Sequence, residues 1–354
     1  MTRRILLLTI LLSGCPARHA APLPEQAERH RARTNDGWEI SLVRYPPVGA
    51  PKGQPVLLCH GISANGRNMD LDEEHSLARW LAKQGRDAWT LSLRGTGDSD
   101  GADEAKGRLP GYTFDTFWQE DLAASIRYVR ERTGAKAIDF VGHSMGGMLA
   151  YAYLARGGQG LQAVVTLGAP TRLDWGGMLE PLLDRVDTLA LTDQMLLPVA
   201  FSSQLVLPLL GEVEGDPMQL LLYNPRNVKA ETWKRLLAVG TGDLSGGVAR
   251  QLIAMVRTGR FTSADGRHDF RANLAKVRTP VLVVAGKADR VAIVPAVRDG
   301  YRALGGPKEW LLLGEENGVE ADYGHMDLVI GERAATEVWT KVLSFLDRHV
   351  CCRP

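Results

Sequence analysis

A serine flanked by glycines stands between a predicted strand and a predicted helix of this 354-residue chain. Residues 142–146 read Gly-His-Ser-Met-Gly; they follow the apolar run 137–141 and precede a helical pattern. A G-x-S-x-G motif in that setting is typical of a nucleophile elbow, where a sharp turn exposes the serine hydroxyl and the glycines let strand and helix approach closely. Ser144 could instead be an ordinary helix N-cap. The strand before it and the helix after it favour a nucleophile.

Four further motifs accompany the elbow. They are Leu-Cys-His-Gly-Ile at 58–62, Leu-Arg-Gly-Thr-Gly-Asp-Ser at 93–99, Asp-Leu-Ala-Ala-Ser at 121–125 and Tyr-Gly-His-Met-Asp at 323–327. With these motifs the chain, from about residue 38 to residue 346, resembles the α/β-hydrolase family and, within it, the lysosomal and gastric acid lipases. It is also similar in part to polyester synthases, which have a cysteine where this chain has Ser144. The resemblance implies an α/β-hydrolase fold and a serine esterase or lipase.

A serine hydroxyl is a weak nucleophile, so it needs a base that takes its proton and a third group that orients the base. The family order is serine, acid, histidine. Asp289 fits the acid, because it follows a strand in a Gly-x-x-Asp turn, and His325 fits the base, because it lies in a loop after the last strand. Asp289 could instead form a turn or pair with Arg290, and a loop histidine is often a solvated surface group. Asp174 is the alternative acid.

The negative charge that develops on a carbonyl oxygen must meet preorganised donors. The resemblance assigns this oxyanion role to two backbone amides, those of Ile62 and Met145. The chemistry expected is transfer of an acyl group to water, with no metal or organic cofactor. An acyltransferase or an amidase would use the same three side chains, and a noncatalytic lipid-binding protein could retain the fold.

Short β-rich runs alternate with helical patterns, which favours a mostly parallel sheet covered by helices. The predicted strands are 38–45, 56–59, 88–93, 137–141, 163–167, 281–285 and 309–313, and the predicted helices are 71–83, 117–132, 145–155 and 333–349. The alternation stops between residues 171 and 276, which are rich in Leu, Met and Pro. We expect a helical cap there, inserted between core segments 36–170 and 277–354. Its apolar residues favour a hydrophobic or acyl-lipid ester as substrate, although apolar helix faces also simply pack into cores.

The N-terminus has the pattern of an export signal. Arg3 and Arg4 precede the apolar run 5–12, which is too short to span a bilayer, and Leu-Ser-Gly-Cys at 12–15 resembles a bacterial lipobox. We therefore expect a signal peptide over 1–14, a lipidated Cys15 that anchors the exported protein to a membrane, and a flexible tether over 15–35. Pro16, in place of aspartate, favours the outer membrane. An ordinary signal peptide with a chance cysteine is the alternative.

Composition excludes some partners. Lys and Arg number 42 against 41 Asp and Glu, so no net field would attract nucleic acid. Apolar residues are 45% of the chain, enough for a sizeable core. The four cysteines lack the spacing of metal ligands, and nothing explains the vicinal pair Cys351 and Cys352.

Overall fold

The computed structural model describes residues 22–173, 192–206 and 217–350. Runs of Val, Leu, Ile and Ala form strands that are buried on both faces, as expected where helices cover both sides of a parallel sheet. The strands are β1 (Glu28–Arg33), β2 (Glu39–Tyr45), β3 (Val56–Cys59), β4 (Ala88–Leu91), β5 (Ile138–His143), β6 (Leu161–Leu167), β7 (Leu196–Leu197), β8 (Leu244–Ser245), β9 (Val281–Gly286) and β10 (Lys308–Leu313).

Eight strands form one sheet in the order β1-β2-β4-β3-β5-β6-β9-β10. The pairs β1/β2 and β2/β4 are antiparallel, and every later pair is parallel. The carboxyl ends of the parallel strands therefore meet along one edge, where loops carry the residues expected to do chemistry. The predicted fold, a mostly parallel sheet flanked by helices, is confirmed.

Helices cover both faces of the sheet, and each face has its own hydrophobic cluster. The α-helices of the core are α1 (Leu77–Lys83), α2 (Phe114–Thr116), α3 (Ala123–Thr133) and α4 (Met145–Ala155), then, after the insert, α10 (Val294–Ala303), α11 (Asp327–Ile330) and α12 (Thr340–Arg348). The predicted helix 71–83 begins only at Leu77, because Ser76 caps it by accepting a hydrogen bond from the Arg79 amide. Turns of π-helix, Phe117–Leu122 and Ala335–Trp339, precede α3 and α12.

The insert between β6 and β9 is mainly helical in its described parts. It contains α5 (Val199–Val206), α6 (Pro217–Leu222), α7 (Ala230–Val239), α8 (Gly246–Thr258) and α9 (Phe270–Asn273). The sequence did not indicate the short antiparallel pair β7/β8 that joins two parts of the insert. No helix within the described ranges is long and apolar enough to cross a membrane.

The prediction of a flexible tether is wrong over β1, which pairs along its whole length with β2. The strand has few apolar residues, so its sequence lacks the usual signal of a strand. Contacts distant in sequence hold it instead: Glu28 pairs with Arg44, and the ring of His30 lies 4.9 Å from that of Trp89. Residues 1–21, including Cys15 and the expected signal peptide, lie outside the described residues.

Candidate active site

Ser144 lies in the sharp turn between β5 and α4. Its φ of 53° and ψ of −121° are strained for a residue with a side chain, and its amide donates to the Leu167 carbonyl at 2.8 Å. The glycines at either side are required sterically. A Cβ on Gly142 would lie 2.5 Å from the Gly146 carbonyl carbon, and a Cβ on Gly146 would lie 2.5 Å from the Cys59 oxygen. The turn has the geometry predicted for a nucleophile elbow.

Asp289 and His325 are brought together at the same edge of the sheet. His325 Nδ1 donates to Asp289 Oδ2 at 2.8 Å, and both side chains are buried. The other carboxylate oxygen accepts from the amides of Val291 and Ala292 at 2.9 and 2.7 Å. Because the carboxylate only accepts, Nδ1 carries the proton, and in the neutral form of the ring Nε2 then presents a lone pair. A general base oriented by a carboxylate has this arrangement.

His143 connects the elbow to the turn that bears His325. Its Nε2 donates to the His325 carbonyl at 3.1 Å, and the two ring centroids lie 4.7 Å apart. Burial, with His325 nearby, holds the pKa of His143 well below its usual value of 6.5, so the ring is neutral. His143 therefore packs beside the site, and its hydrogen bond goes to the main chain of His325 rather than to Ser144.

The loop after β3 lies directly against Ser144. A Cβ on Gly61 would lie 3.0 Å from Ser144 Cβ and 3.5 Å from its Oγ, so only glycine leaves the hydroxyl accessible here. Ile62 follows in this loop, and Met145 is the first residue of α4. Both expected oxyanion amides therefore belong to segments that adjoin Ser144.

The buried side chain of His60 hydrogen-bonds to the loop after β3. In the tautomer that satisfies both contacts, His60 Nδ1 donates to the Gly61 carbonyl at 2.8 Å and Nε2 accepts from the Leu93 amide at 3.1 Å. Burial lowers the pKa of His60 to about 4, so the ring is neutral at pH 7. His60 therefore links two loops. One is the loop after β3, called the oxyanion loop below because it carries the expected oxyanion amide of Ile62, and the other is the loop after β4.

Asn65 fastens the oxyanion loop to the inserted segment, and sequence reasoning missed it. Its Nδ2 donates to the carbonyls of Val239 and Thr241 at 3.0 and 2.9 Å. The Gly242 amide donates in return to the Ser63 carbonyl at 2.9 Å. An asparagine in a turn before a short helix predicts an N-cap, and Asn65 is the N-cap of the short helix that follows it. The same signal does not predict a hydrogen-bond partner more than 170 residues away.

The loop 93–99 has a structural role at the rim. Arg94 is buried, pairs with Asp121 and Asp36, and stacks on Trp38 with its guanidinium carbon 4.6 Å from the ring centroid. Burial raises the pKa of Asp121 to about 6, although Arg94 opposes the shift. The arginine thus fixes the loop after β4 to the π-helical turn before α3 and, through Asp36, to the segment between β1 and β2.

Two predicted features cannot be placed. Asp174, the alternative acid, and the pair Cys351 and Cys352 lie outside the described residues. Within the described ranges, no group of three or more His, Cys, Asp or Glu side chains is arranged to hold a metal ion.

Comparison with known proteins places the chain in a family. The model of the alpha/beta hydrolase fold family matches residues 54–332. Triacylglycerol lipase 1 of Arabidopsis thaliana is 26% identical over 378 residues, covering 96% of this chain and 93% of that protein. Lipase member K of Homo sapiens is 31% identical over 133 residues, covering 35% of this chain and 33% of that protein.

Solved structures agree on the fold. A bacterial membrane phospholipase A superposes with a TM-score of 0.57 at 20% identity, covering 98% of this chain and 99% of that one. A thermophilic esterase from Thermogutta terrifontis gives 0.60 at 17% identity, covering 92% and 100%. At such identities the likeness concerns the fold alone, whereas the family match and the lipase relatives confirm the resemblance inferred from the motifs. The chain belongs to the α/β-hydrolase fold family and is a carboxylic ester hydrolase of its esterase and lipase branch.

Proposed function

We propose that the protein hydrolyses hydrophobic carboxylic esters through Ser144, His325 and Asp289. One observation carries the proposal: the 2.8 Å hydrogen bond from His325 Nδ1 to Asp289 Oδ2, in a turn that His143 holds against the strained elbow. A buried carboxylate, an oriented imidazole and a serine in a strained turn are the parts that an activated nucleophile requires.

The reaction has two stages. Ser144 Oγ attacks the ester carbonyl carbon while its proton passes to His325 Nε2, and Asp289 stabilises the imidazolium. The amides of Ile62 and Met145 donate to the oxyanion of the tetrahedral intermediate. The intermediate collapses, His325 returns the proton to the departing alkoxide, and an acyl-enzyme remains. Water then attacks the acyl carbon, giving up a proton to His325, and the carboxylic acid leaves as Ser144 recovers its proton.

Apolar surface on the insert supports a hydrophobic substrate. In the insert, the side chains of Leu196 and Phe201 are 45% and 61% exposed. Leu109 is 55% exposed and lies in a loop of the core that contacts the insert, because the Ser245 hydroxyl donates to the Pro110 carbonyl. Exposed apolar side chains grouped on one segment favour ligands with acyl chains. The relative from Arabidopsis thaliana that matches nearly the whole chain is named a triacylglycerol lipase, which supports an acyl-lipid ester here.

The test measures hydrolysis of p-nitrophenyl butyrate, octanoate and laurate. We expect kcat/KM to rise with chain length, by up to about four-fold per methylene that is fully buried. Ser144→Ala should abolish turnover of all three esters, whereas Ser344→Ala, on the exposed face of α12, should not change it. A preference for the shortest ester would contradict the hydrophobic substrate, and turnover by Ser144→Ala would contradict the nucleophile.

We also propose that the protein is exported and anchored to the outer membrane through lipidated Cys15. The charged residues Arg3 and Arg4, the apolar run 5–12 and the small residues before Cys15 support this. Each buried acyl methylene contributes about 0.8 kcal/mol, so several chains would hold the protein firmly. Expression of the full chain in a bacterium should give a membrane fraction whose N-terminal peptide is acylated at Cys15. A soluble Cys15→Ser variant would support the anchor, and a soluble wild type would contradict it.

A further inference from the structure

A buried carboxylate two residues after His325 has no role in the reaction described above. Asp327 is the first residue of α11 and is completely buried. The groups that donate to its carboxylate are backbone amides and an asparagine side chain rather than a charged side chain. Its surroundings raise its pKa to about 6, chiefly because burial disfavours the charged form, and bonds from N–H groups oppose that shift. Burying this carboxylate therefore costs free energy, which its hydrogen bonds must offset.

Asp327 accepts hydrogen bonds from both the catalytic turn and the insert. The Gly324 amide donates to Oδ2 at 2.7 Å, directly before His325. From the insert, the Asn224 amide donates to Oδ1 at 3.1 Å and Asn227 Nδ2 donates to Oδ2 at 2.9 Å. One carboxylate therefore joins the turn that bears the general base to the segment after α6.

The backbones of the two segments also touch. The Met326 amide donates to the Leu222 carbonyl at 2.9 Å. A Cβ on Gly324 would lie 2.9 Å from both the Asn224 nitrogen and the Tyr223 Cα, so glycine is needed for the close approach. His325 is thus flanked on each side by a residue whose amide is bound to the insert or to Asp327.

We propose that Asp327 is a positioning residue, which holds the turn bearing His325 in a fixed relation to the insert. The proposal rests on the proposed function, in which His325 is the general base. Asp327 touches no reacting atom; it fixes the direction of the imidazole by accepting the N–H groups that surround the turn. Misplacement of a catalytic group by about 1 Å lowers a rate by about 100-fold, so a modest loosening of this turn should lower kcat strongly.

The test compares Asp327→Asn with Asn227→Ala and the matched control Asp265→Asn. Asp265 also accepts a backbone amide, that of Arg267, but lies in an exposed loop. With p-nitrophenyl octanoate, we expect Asp327→Asn to lower kcat by up to about 100-fold with KM little changed, because the substrate surface is untouched. Asn227→Ala, which removes one donor from the insert, should give a smaller loss of the same kind, and the control should match wild type.

Two measurements separate positioning from a general loss of structure. Active sites are counted by titration with a fluorophosphonate carried to completion, so that unfolded protein does not enter kcat. The downfield proton NMR resonance of His325 Nδ1–H should broaden or vanish in Asp327→Asn. A wild-type kcat with an unchanged resonance in this variant would overturn the proposal, as would a loss that appears only in KM. If Ser144→Ala and Asp289→Asn also retained activity, the proposed triad itself would fail.

Discussion

His143 Nε2 donates a hydrogen bond to the backbone carbonyl of His325 at 3.1 Å, so the residue before Ser144 holds the turn that bears His325. His143 Nδ1 is buried and has no partner among the described residues, so only one of its nitrogens makes a bond. The bond is independent of side-chain chemistry at His325, because the acceptor is main chain.

The first prediction tests this bond. His143→Phe keeps a flat ring in the same space but removes the donor, whereas a glutamine at this position retains an N–H group. A neutral hydrogen bond contributes about 1 kcal/mol, so we expect kcat of His143→Phe to fall about five- to ten-fold, with a smaller loss for His143→Gln. Steady-state kinetics on p-nitrophenyl octanoate measure the effect. Equal kcat values for wild type and His143→Phe would show that the bond does not position His325.

The second prediction concerns the steric basis of the elbow. A Cβ on Gly146 would lie 2.5 Å from the Cys59 oxygen and 2.6 Å from the His60 oxygen, and both are backbone atoms. Gly146→Ala should therefore force β3 and α4 apart and lower the free energy of unfolding by about 3 kcal/mol or more. Urea unfolding measures the difference. Gly101→Ala is the control, because a Cβ there meets no atom within 4 Å. Equal free energies of unfolding for the two variants would contradict the prediction, because β3 and α4 would then accommodate the added methyl group without cost.

The third prediction concerns the oxyanion loop. Asn65→Ala removes the donor to Val239 and Thr241, so the loop before α1 loses its hold on the insert. Because removal of one oxyanion donor costs about 100-fold or more, we expect loosening of the loop to lower kcat by about ten- to 100-fold with a smaller change in KM. Asn273→Ala, which loses a similar bond to the Asp269 carbonyl in α9, is the control. A wild-type kcat for Asn65→Ala would show that the bonds from Asn65 to the insert do not contribute to catalysis.

An ionic cluster around His75 attaches α7 to the core. His75 Nδ1 lies 2.9 Å from Asp72 and Nε2 lies 3.2 Å from Glu332, while Arg235 and Lys229 pair with the same two carboxylates. Burial alone would lower the pKa of His75, but the two carboxylates outweigh it and raise the pKa above its usual 6.5. Burial alone would raise the pKa of Glu332, but Lys229 and His75 lower it below its usual 4.5.

The fourth prediction follows from these directions. A raised pKa in the folded protein means that protonated His75 stabilises fully below pH 6.5 and that this contribution is lost as pH rises through the folded pKa. The lowered pKa of Glu332 gives a contribution that is present above pH 4.5 and lost in stronger acid. The loss of stability in His75→Gln should therefore be largest between pH 4.5 and pH 6.5 and should shrink as pH rises through the raised pKa of His75. Urea unfolding across the range measures the difference, with His268→Gln as the control. A difference that grows as pH rises above 6.5 would contradict the assignment.

The sequence was informative where a pattern is local. The strand β3 and the helix α4 were predicted with the bounds that the structure has, because a short apolar run and a glycine elbow define them. The strand β1 was missed, since its polar residues are held by pairing with β2 rather than by burial of an apolar face. Ser144, Asp289 and His325 were predicted as site residues from motifs at strand ends, and the structure brings His325 and Asp289 into contact. Asn65 and Asp327 acquire their roles only through contacts with the insert, which no spacing along the chain reveals.

The fifth prediction, labelling of the protein with a fluorophosphonate followed by peptide mass mapping, tests the central claim most directly. Wild type should carry one adduct, on Ser144, and Ser144→Ala should carry none. Asp289→Asn should slow the labelling by up to about four decades, because the imidazole loses its orienting carboxylate, whereas Asp174→Asn should not. An adduct on another residue, labelling of Ser144→Ala, or slower labelling in Asp174→Asn than in Asp289→Asn would contradict the account.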